Sequence, residues 1–298
     1  MVIRENDTTK TVAEKVRLAT ILGTWQSTLT DFKYLRKIWK DNTEEERLLG
    51  VSLTGQFGNK FFSGKENLKK LEEALEVLRD HARETNKEEA GKIGIQESAA
   101  ITCVKPSGTV SQLVGVSSGM HAWHSDYYIR TVRGDKKDPL STFLKEVGIP
   151  VEDDFMKPND TYVFSFPVKA PEGAITRDHL TAIDHLNTWL VYQRSWCEHK
   201  PSITVSVKED EWMAVGAWVY EHFDEVSGIS FLPHSDHSYK QAPYQEVTET
   251  EYLELLAKMP SSIRWEDLSF YETEDGTSGT QTLACTSDGN CEIVDISA

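Results

Sequence analysis

Apolar residues recur along this chain with two periods that alternate almost to its end. Across 11–40, Val12, Val16, Ile21, Leu22, Trp25, Leu29, Phe32, Leu35 and Trp39 fall at near-helical spacing. They predict two helices divided around Gly23 or around Thr30-Asp31. Residues 48–55 read as a strand, and Leu68, Leu71, Leu75 and Leu78 mark one face of a charged helix over about 65–86. The short β-branched run 99–104 suits a buried strand. Further strands are predicted at 127–133, with Arg130 and Arg133 on one face, and at 161–168, 202–207 and 228–232. Further helices are predicted at 178–196, 209–222 and 249–258. This alternation predicts an α/β architecture with helices outside a largely parallel sheet, a pattern that an open sheet and a barrel share.

The turn after the strand at 99–104 carries the clearest chemistry: Lys105-Pro106-Ser107-Gly108-Thr109-Val110-Ser111-Gln112. Pro106 stops strand pairing and Gly108 lets a ligand approach the backbone closely. Thr109 or Ser111 can open the next helix, whose first amides lack intrahelical partners and favour an anion. Residues 106–111 are therefore a candidate phosphate cradle, set against the plainer alternative of a capped strand-to-helix turn. Lys105, Arg130 and Arg133 are the nearby cations, each of which also reads as an ordinary surface charge.

Composition narrows the class. A chain of 298 residues, 39% hydrophobic and 27% charged, can bury a sizeable core. Its mean hydropathy of −0.46 and the lack of any bilayer-length apolar run indicate a soluble protein. Residues 1–7 lack the apolar core of a secretory signal, so the expected compartment is cytoplasmic. A net charge of −16 argues against duplex nucleic acid as a partner, while leaving room for a single nucleotide. No linker is evident before Glu272, so one domain over 1–271 and a flexible tail over 272–298 are expected.

Of the four cysteines, Cys103 and Cys197 sit in apolar contexts and read as inert buried thiols. Cys285 and Cys291 follow a polar stretch near the end of the chain, where a cytosolic pair is more often redox-active or metal-binding than structural. A zinc site would need two more ligands, and none lies nearby in sequence. About 12 residues of tail before Cys285 would span about 20 Å on average. Fully extended they reach roughly 40 Å. Such a tail can visit a pocket and return to an external reductant. The pairs His121/His124 and His234/His237 read as loop histidines rather than metal ligands, and no metal site is expected.

Several long stretches resemble the adenosylcobalamin-dependent, class II, ribonucleotide reductases. They are residues 15–32, 44–55 and 104–112, then Ser117-Ser118-Gly119-Met120-His121-Ala122-Trp123-His124, and Ser227-Gly228-Ile229-Ser230-Phe231-Leu232-Pro233. The likeness is greatest to the monomeric ribonucleoside-triphosphate reductase branch and runs from about residue 12 onward. It implies the second half of a ten-stranded α/β barrel, with a flexible C-terminal tail. It also implies that Pro106, Ser107, Gly108, Thr109, Val110 and Ser111 hold substrate phosphates. Cys285 and Cys291 would be the tail thiols that re-reduce the active-site disulfide before a thioredoxin-like donor reduces them.

The family's radical cysteine lies in an Asn-Pro-Cys-type motif upstream of the region resembling Met1, and no such motif occurs here. The cysteines oxidised by substrate precede this region too, so Cys103 and Cys197 do not take their role. The first barrel half and the allosteric site have no counterpart. The resemblance thus implies the C-terminal portion of a reductase using adenosylcobalamin and a ribonucleoside triphosphate, completed by an N-terminal fragment that carries the radical cysteine. Its rivals are a non-catalytic nucleotide-binding or assembly module and an inactive remnant of an interrupted gene.

Overall fold

The structure, a computed structural model, describes residues 1–107, 110–234 and 239–273. The elements run α1 (Thr9–Gln26), α2 (Lys37–Glu46), β1 (Val51–Ser52), α3 (Leu68–Ile93), β2 (Thr102–Cys103) and α4 (Val110–Leu113). Next come β3 (Tyr127–Asp135), α5 (Pro139–Glu146), β4 (Val151–Asp153), β5 (Thr161–Lys169) and α6 (Ala182–Ser195). The remainder are β6 (Ile203–Val207), α7 (Trp212–Glu221), β7 (Ile229–Pro233), β8 (Tyr244–Glu246) and α8 (Glu249–Lys258). They divide between two compact units, one built from Met1–Asp126 with Lys169–His237, the other from Tyr127–Val168 with the described residues that follow 238.

In the first unit, short chain segments lie side by side in parallel, in sequence order. Val2 bridges to Thr54, β1 pairs with β2, Val104 bridges to Pro201, and β6 pairs with β7. Helices fill the connections, as parallel neighbours require. α3 packs between α1 and α6, and α6 rests on β6. Leu71, Leu75, Leu78 and Ala82 of α3 join Val12, Val16, Leu53, Val104, Leu186 and Val205 in the buried core. At its start, Asn67 accepts a hydrogen bond from the Lys70 amide; at its end Gly94, at φ 72°, takes the left-handed turn that glycine favours.

The leucine stripe understates α3, which extends to Ile93 because small and polar residues take over its inner face. Asn86 donates to Thr24 Oγ1 at 2.9 Å and to Ser98 Oγ at 3.0 Å. Gly23 does not divide the first helix. It lies inside α1, where a Cβ would touch Leu49 Cδ1 at 3.5 Å, and the chain breaks between Gln26 and Lys37 instead.

The second unit corrects the expectation of a largely parallel sheet. Its strands lie in the order β4-β5-β3-β8, with β3 antiparallel to β8 and β4 antiparallel to β5. Arg130 and Arg133 do not share a face, because a spacing of three along a strand is odd. Arg130 stacks on Tyr244 at 4.3 Å, while Arg133 pairs with Asp154 at 2.7 Å. Among the described residues, no helix is long and apolar enough to cross a membrane.

Candidate functional site

The candidate site forms where β1 and β2 end. Chain leaving β2 at Val104 runs through a loop to about Trp123, and side chains of the β1 segment tether it. Ser52 Oγ accepts from the Lys105 amide at 2.9 Å. Thr54 Oγ1 accepts from the Gly119 amide at 2.8 Å and donates to the Ser117 carbonyl at 3.1 Å. Ser107 and Ser118 join the two limbs of the loop through their hydroxyls, 2.8 Å apart.

Of the predicted phosphate residues, Gly108 and Thr109 lie outside the described residues. Pro106 is exposed, Ser107 half-buried and Val110 exposed, whereas Ser111 is fully buried. The helix that follows is a single turn, α4, and its first amide, on Val110, already donates to the Ser107 carbonyl at 3.1 Å. Ser111 sits within that turn, not ahead of it, so it is not the cap. Lys105 is exposed at the loop's start, but Arg130 and Arg133 belong to the second unit and are engaged there.

The wall behind the loop is knotted to the end of α6. Trp196, fully buried, donates its indole N–H to the Cys103 carbonyl at 2.8 Å. Glu198 accepts from the Ile101 amide at 2.8 Å and from Arg83 Nε at 2.6 Å. Burial opposes ionisation of Glu198, but Arg83 and the two amides prevail and hold its carboxyl below the ordinary value. Cys103 and Cys197 are buried free thiols, and burial pushes both upward, which favours the protonated form of each. Cys285 and Cys291 lie outside the described residues.

Two histidines pin the far limb of the loop. The Thr204 amide donates to His121 Nε2 at 2.9 Å, which places the ring proton on Nδ1, facing the Ser118 carbonyl at 2.8 Å. His185 Nε2 lies 2.7 Å from the Met120 carbonyl, to which it donates. His121 thus fills a structural place in the loop. Among the described residues no cluster could hold a metal ion. Sequence reasoning missed Ser52, Thr54, Glu198 and His185. The alternation of Ser52 and Thr54 with apolar Val51 and Leu53 is the signal that could have found the first two.

Gly55 closes the β1 side at φ 87°, and a Cβ there would lie 2.5 Å from the Ile3 carbonyl oxygen and 3.0 Å from Val116 Cβ. Gly55→Ala therefore combines a left-handed backbone with a clash against main chain, and is expected to cost at least about 2 kcal/mol. A urea-unfolding midpoint lowered at constant slope would register it; an unchanged midpoint would refute the packing described.

No family model matches the chain. Over 231 residues it is 30% identical to a probable adenosylcobalamin-dependent ribonucleoside-triphosphate reductase of Dictyostelium discoideum, covering 74% of this chain and 30% of that protein. The adenosylcobalamin-dependent ribonucleoside-triphosphate reductase of Euglena gracilis is 29% identical over 231 residues, covering 76% of this chain and 31% of its own. The Lactobacillus gasseri protein of the same name is 27% identical over 248 residues, 74% of this chain and 33% of its own. The crystal structure of a B12-dependent, class II, ribonucleotide reductase superposes with a TM-score of 0.74 at 21% identity, covering 87% of this chain and 40% of that one. The chain spans about a third of the length of these curated relatives. Aligned along about three quarters of its residues, and sharing the fold over most of them, the chain is homologous to the adenosylcobalamin-dependent ribonucleoside-triphosphate reductases.

Proposed function

We propose that this chain is the C-terminal portion of a vitamin B12-dependent ribonucleotide reductase acting on ribonucleoside triphosphates. In this reading residues 106–111 bind substrate phosphates, and the parallel array forms half of a ten-stranded barrel completed by a separate N-terminal polypeptide with the radical cysteine. Residues 1–271 are its barrel portion and 272–298 its redox tail. The observation that carries the reading is the homology, together with a loop tethered at adjacent parallel strand ends, where α/β folds commonly bind ligands. An apolar stripe on α1 supports a covering partner, since Leu22 is 63% and Trp25 51% exposed.

The relatives are named as adenosylcobalamin-dependent, and in the proposed enzyme that cofactor supplies the radical chemistry. The described residues form no metal-ligating cluster, so none is assigned to the cobalt. This chain's own tasks are binding, positioning and thiol exchange. Replacing the 2′-hydroxyl with hydrogen releases water and consumes two electrons and two protons, which a dithiol delivers as it closes to a disulfide. Cys285 and Cys291 would reopen that disulfide by thiolate exchange, becoming oxidised themselves, and a thioredoxin-like dithiol would then reduce them.

The test combines the chain with the matching N-terminal polypeptide, adenosylcobalamin, a ribonucleoside triphosphate and thioredoxin, and measures deoxynucleotide. Steady formation is expected. Cys285→Ser or Cys291→Ser should abolish multiple turnover with thioredoxin while sparing one turnover. Triphosphate binding without any deoxynucleotide would favour the non-catalytic module, and neither binding nor product the inactive remnant.

A further inference from the structure

Strand pairing in the parallel array leaves the Thr204 amide beyond the reach of the neighbouring strand, and His121 takes it. Successive amides of a parallel strand point to alternate sides. The Ser202 amide donates to the Val104 carbonyl at 3.0 Å, and the Ile203 amide points the other way, to Gly228 at 3.2 Å. Thr204 therefore faces the β2 side again, where the chain has already turned off at Lys105 into the candidate loop. A buried backbone donor left there would cost about 1–3 kcal/mol.

The His121 ring fills that place, and its opposite nitrogen grips the loop itself. One ring thus links β6, through Thr204, to the Ser118 carbonyl at 2.8 Å, and the Ser118 hydroxyl meets that of Ser107 at 2.8 Å. The His121 amide donates to the same carbonyl at 2.9 Å. The β1 side of the loop has its own tethers in Ser52 and Thr54, so His121 is the tie to β6. Edge-on contact with His185, centroids 6.2 Å apart, fixes the ring plane.

We infer that His121 is a positioning residue for the phosphate loop, holding Ser107 in register with the strand ends for a ribonucleoside triphosphate. The inference rests on the phosphate reading of residues 106–111 proposed above. His121 touches no phosphate; it acts through Ser118 and Ser107. Glutamine at 121 can still accept from Thr204, whereas asparagine is too short to reach it and phenylalanine keeps only the ring's shape.

The experiment measures binding of a ribonucleoside triphosphate and of inorganic tripolyphosphate to the full chain, with amide hydrogen exchange read in parallel. H121F is expected to weaken both ligands by about tenfold or more, and to speed exchange at Thr204 and across 110–119 by about ten- to a hundredfold. H121Q should recover most of the affinity and H121N little. Faster exchange at Thr204 alone, with loop protection and affinity unchanged, would overturn the inference, leaving His121 a mere strand cap. Should H121F fail to fold, equal affinities for H121Q and H121N would overturn it as well. If the unsubstituted chain binds neither ligand, the phosphate reading falls, while loop exchange in the variants still decides whether His121 holds the loop.

Discussion

Trp196→Ala is expected to lower the unfolding free energy by about 3–5 kcal/mol, the range for deleting a buried aromatic side chain. The indole is fully buried and its N–H is the donor for the Cys103 carbonyl, 2.8 Å away. The Trp196 carbonyl in turn accepts from the Thr102 hydroxyl. One residue therefore fills core volume and ties both residues of β2 to the end of α6. Alanine leaves a cavity and an unsatisfied carbonyl together; Trp196→Phe leaves mainly the second and should cost about 1–3 kcal/mol. Denaturant unfolding of the chain would measure both, and a loss below about 1 kcal/mol for the alanine variant would show that β2 is held by something else. Because β2 launches the candidate loop, the alanine variant should also lose triphosphate affinity at temperatures where it remains folded.

How far the sequence foretold this arrangement differs from element to element. The strands at 202–207 and 228–232 and the helix at 249–258 were legible because apolar period and punctuation agree there; Thr248 and Glu251 form a capping box at the helix start. The helix α1 shows the opposite. Its prominent apolar residues Leu18, Leu22 and Trp25 face outward, whereas Thr20 and Thr24 are buried, their hydroxyls satisfied by the Val16 and Thr20 carbonyls. Threonine can cross a helix interface because it carries its own hydrogen bond with it, and no hydropathy pattern registers that. The antiparallel strands β4 and β8 are three residues each and polar, below the length at which alternation is detectable.

The candidate site was legible as a location and less so as a mechanism of support. A turn at 105–112 follows from proline, glycine and hydroxyl residues after a buried strand, and its described residues 105–107 do leave the end of β2. Its tethers are long-range: Ser52 to Lys105, Thr54 to Gly119, His121 to Thr204. Such pairs depend on which strands become neighbours, and that information lies in packing rather than in any local window.

Acid is expected to unfold this chain in two stages, the first governed by its buried histidines. His185 is buried with its ring edge-on to Phe57, centroids 5.5 Å apart, and burial drives its pKa from 6.5 to about 4. The carbonyl of Met120 opposes that shift without cancelling it. Burial, aided by Arg177, brings His124 to about 4 as well, and burial lowers His121. For each, the unfolded chain binds a proton more readily than the folded one. Stability is therefore complete above about 6.5 and declines as pH falls toward 4. For His185 alone the fall corresponds to about 3 kcal/mol at its lower limit. The carboxylates act later, because Glu225, held at about 2 chiefly by Arg194, and Glu198, held down by Arg83 and backbone amides against burial, lose their contribution only below their unfolded values near 4.5. Unfolding midpoints measured from pH 7.5 to 3.5 should thus decline first between 6.5 and 4, and His185→Gln should flatten that first decline. Ring-proton shifts provide an independent check: a His185 resonance titrating near 6.5 in the folded chain would contradict the burial that places it. Since His121 and His185 hold the Ser118 and Met120 carbonyls, amide protection in that limb of the loop should fail at a higher pH than protection in α3.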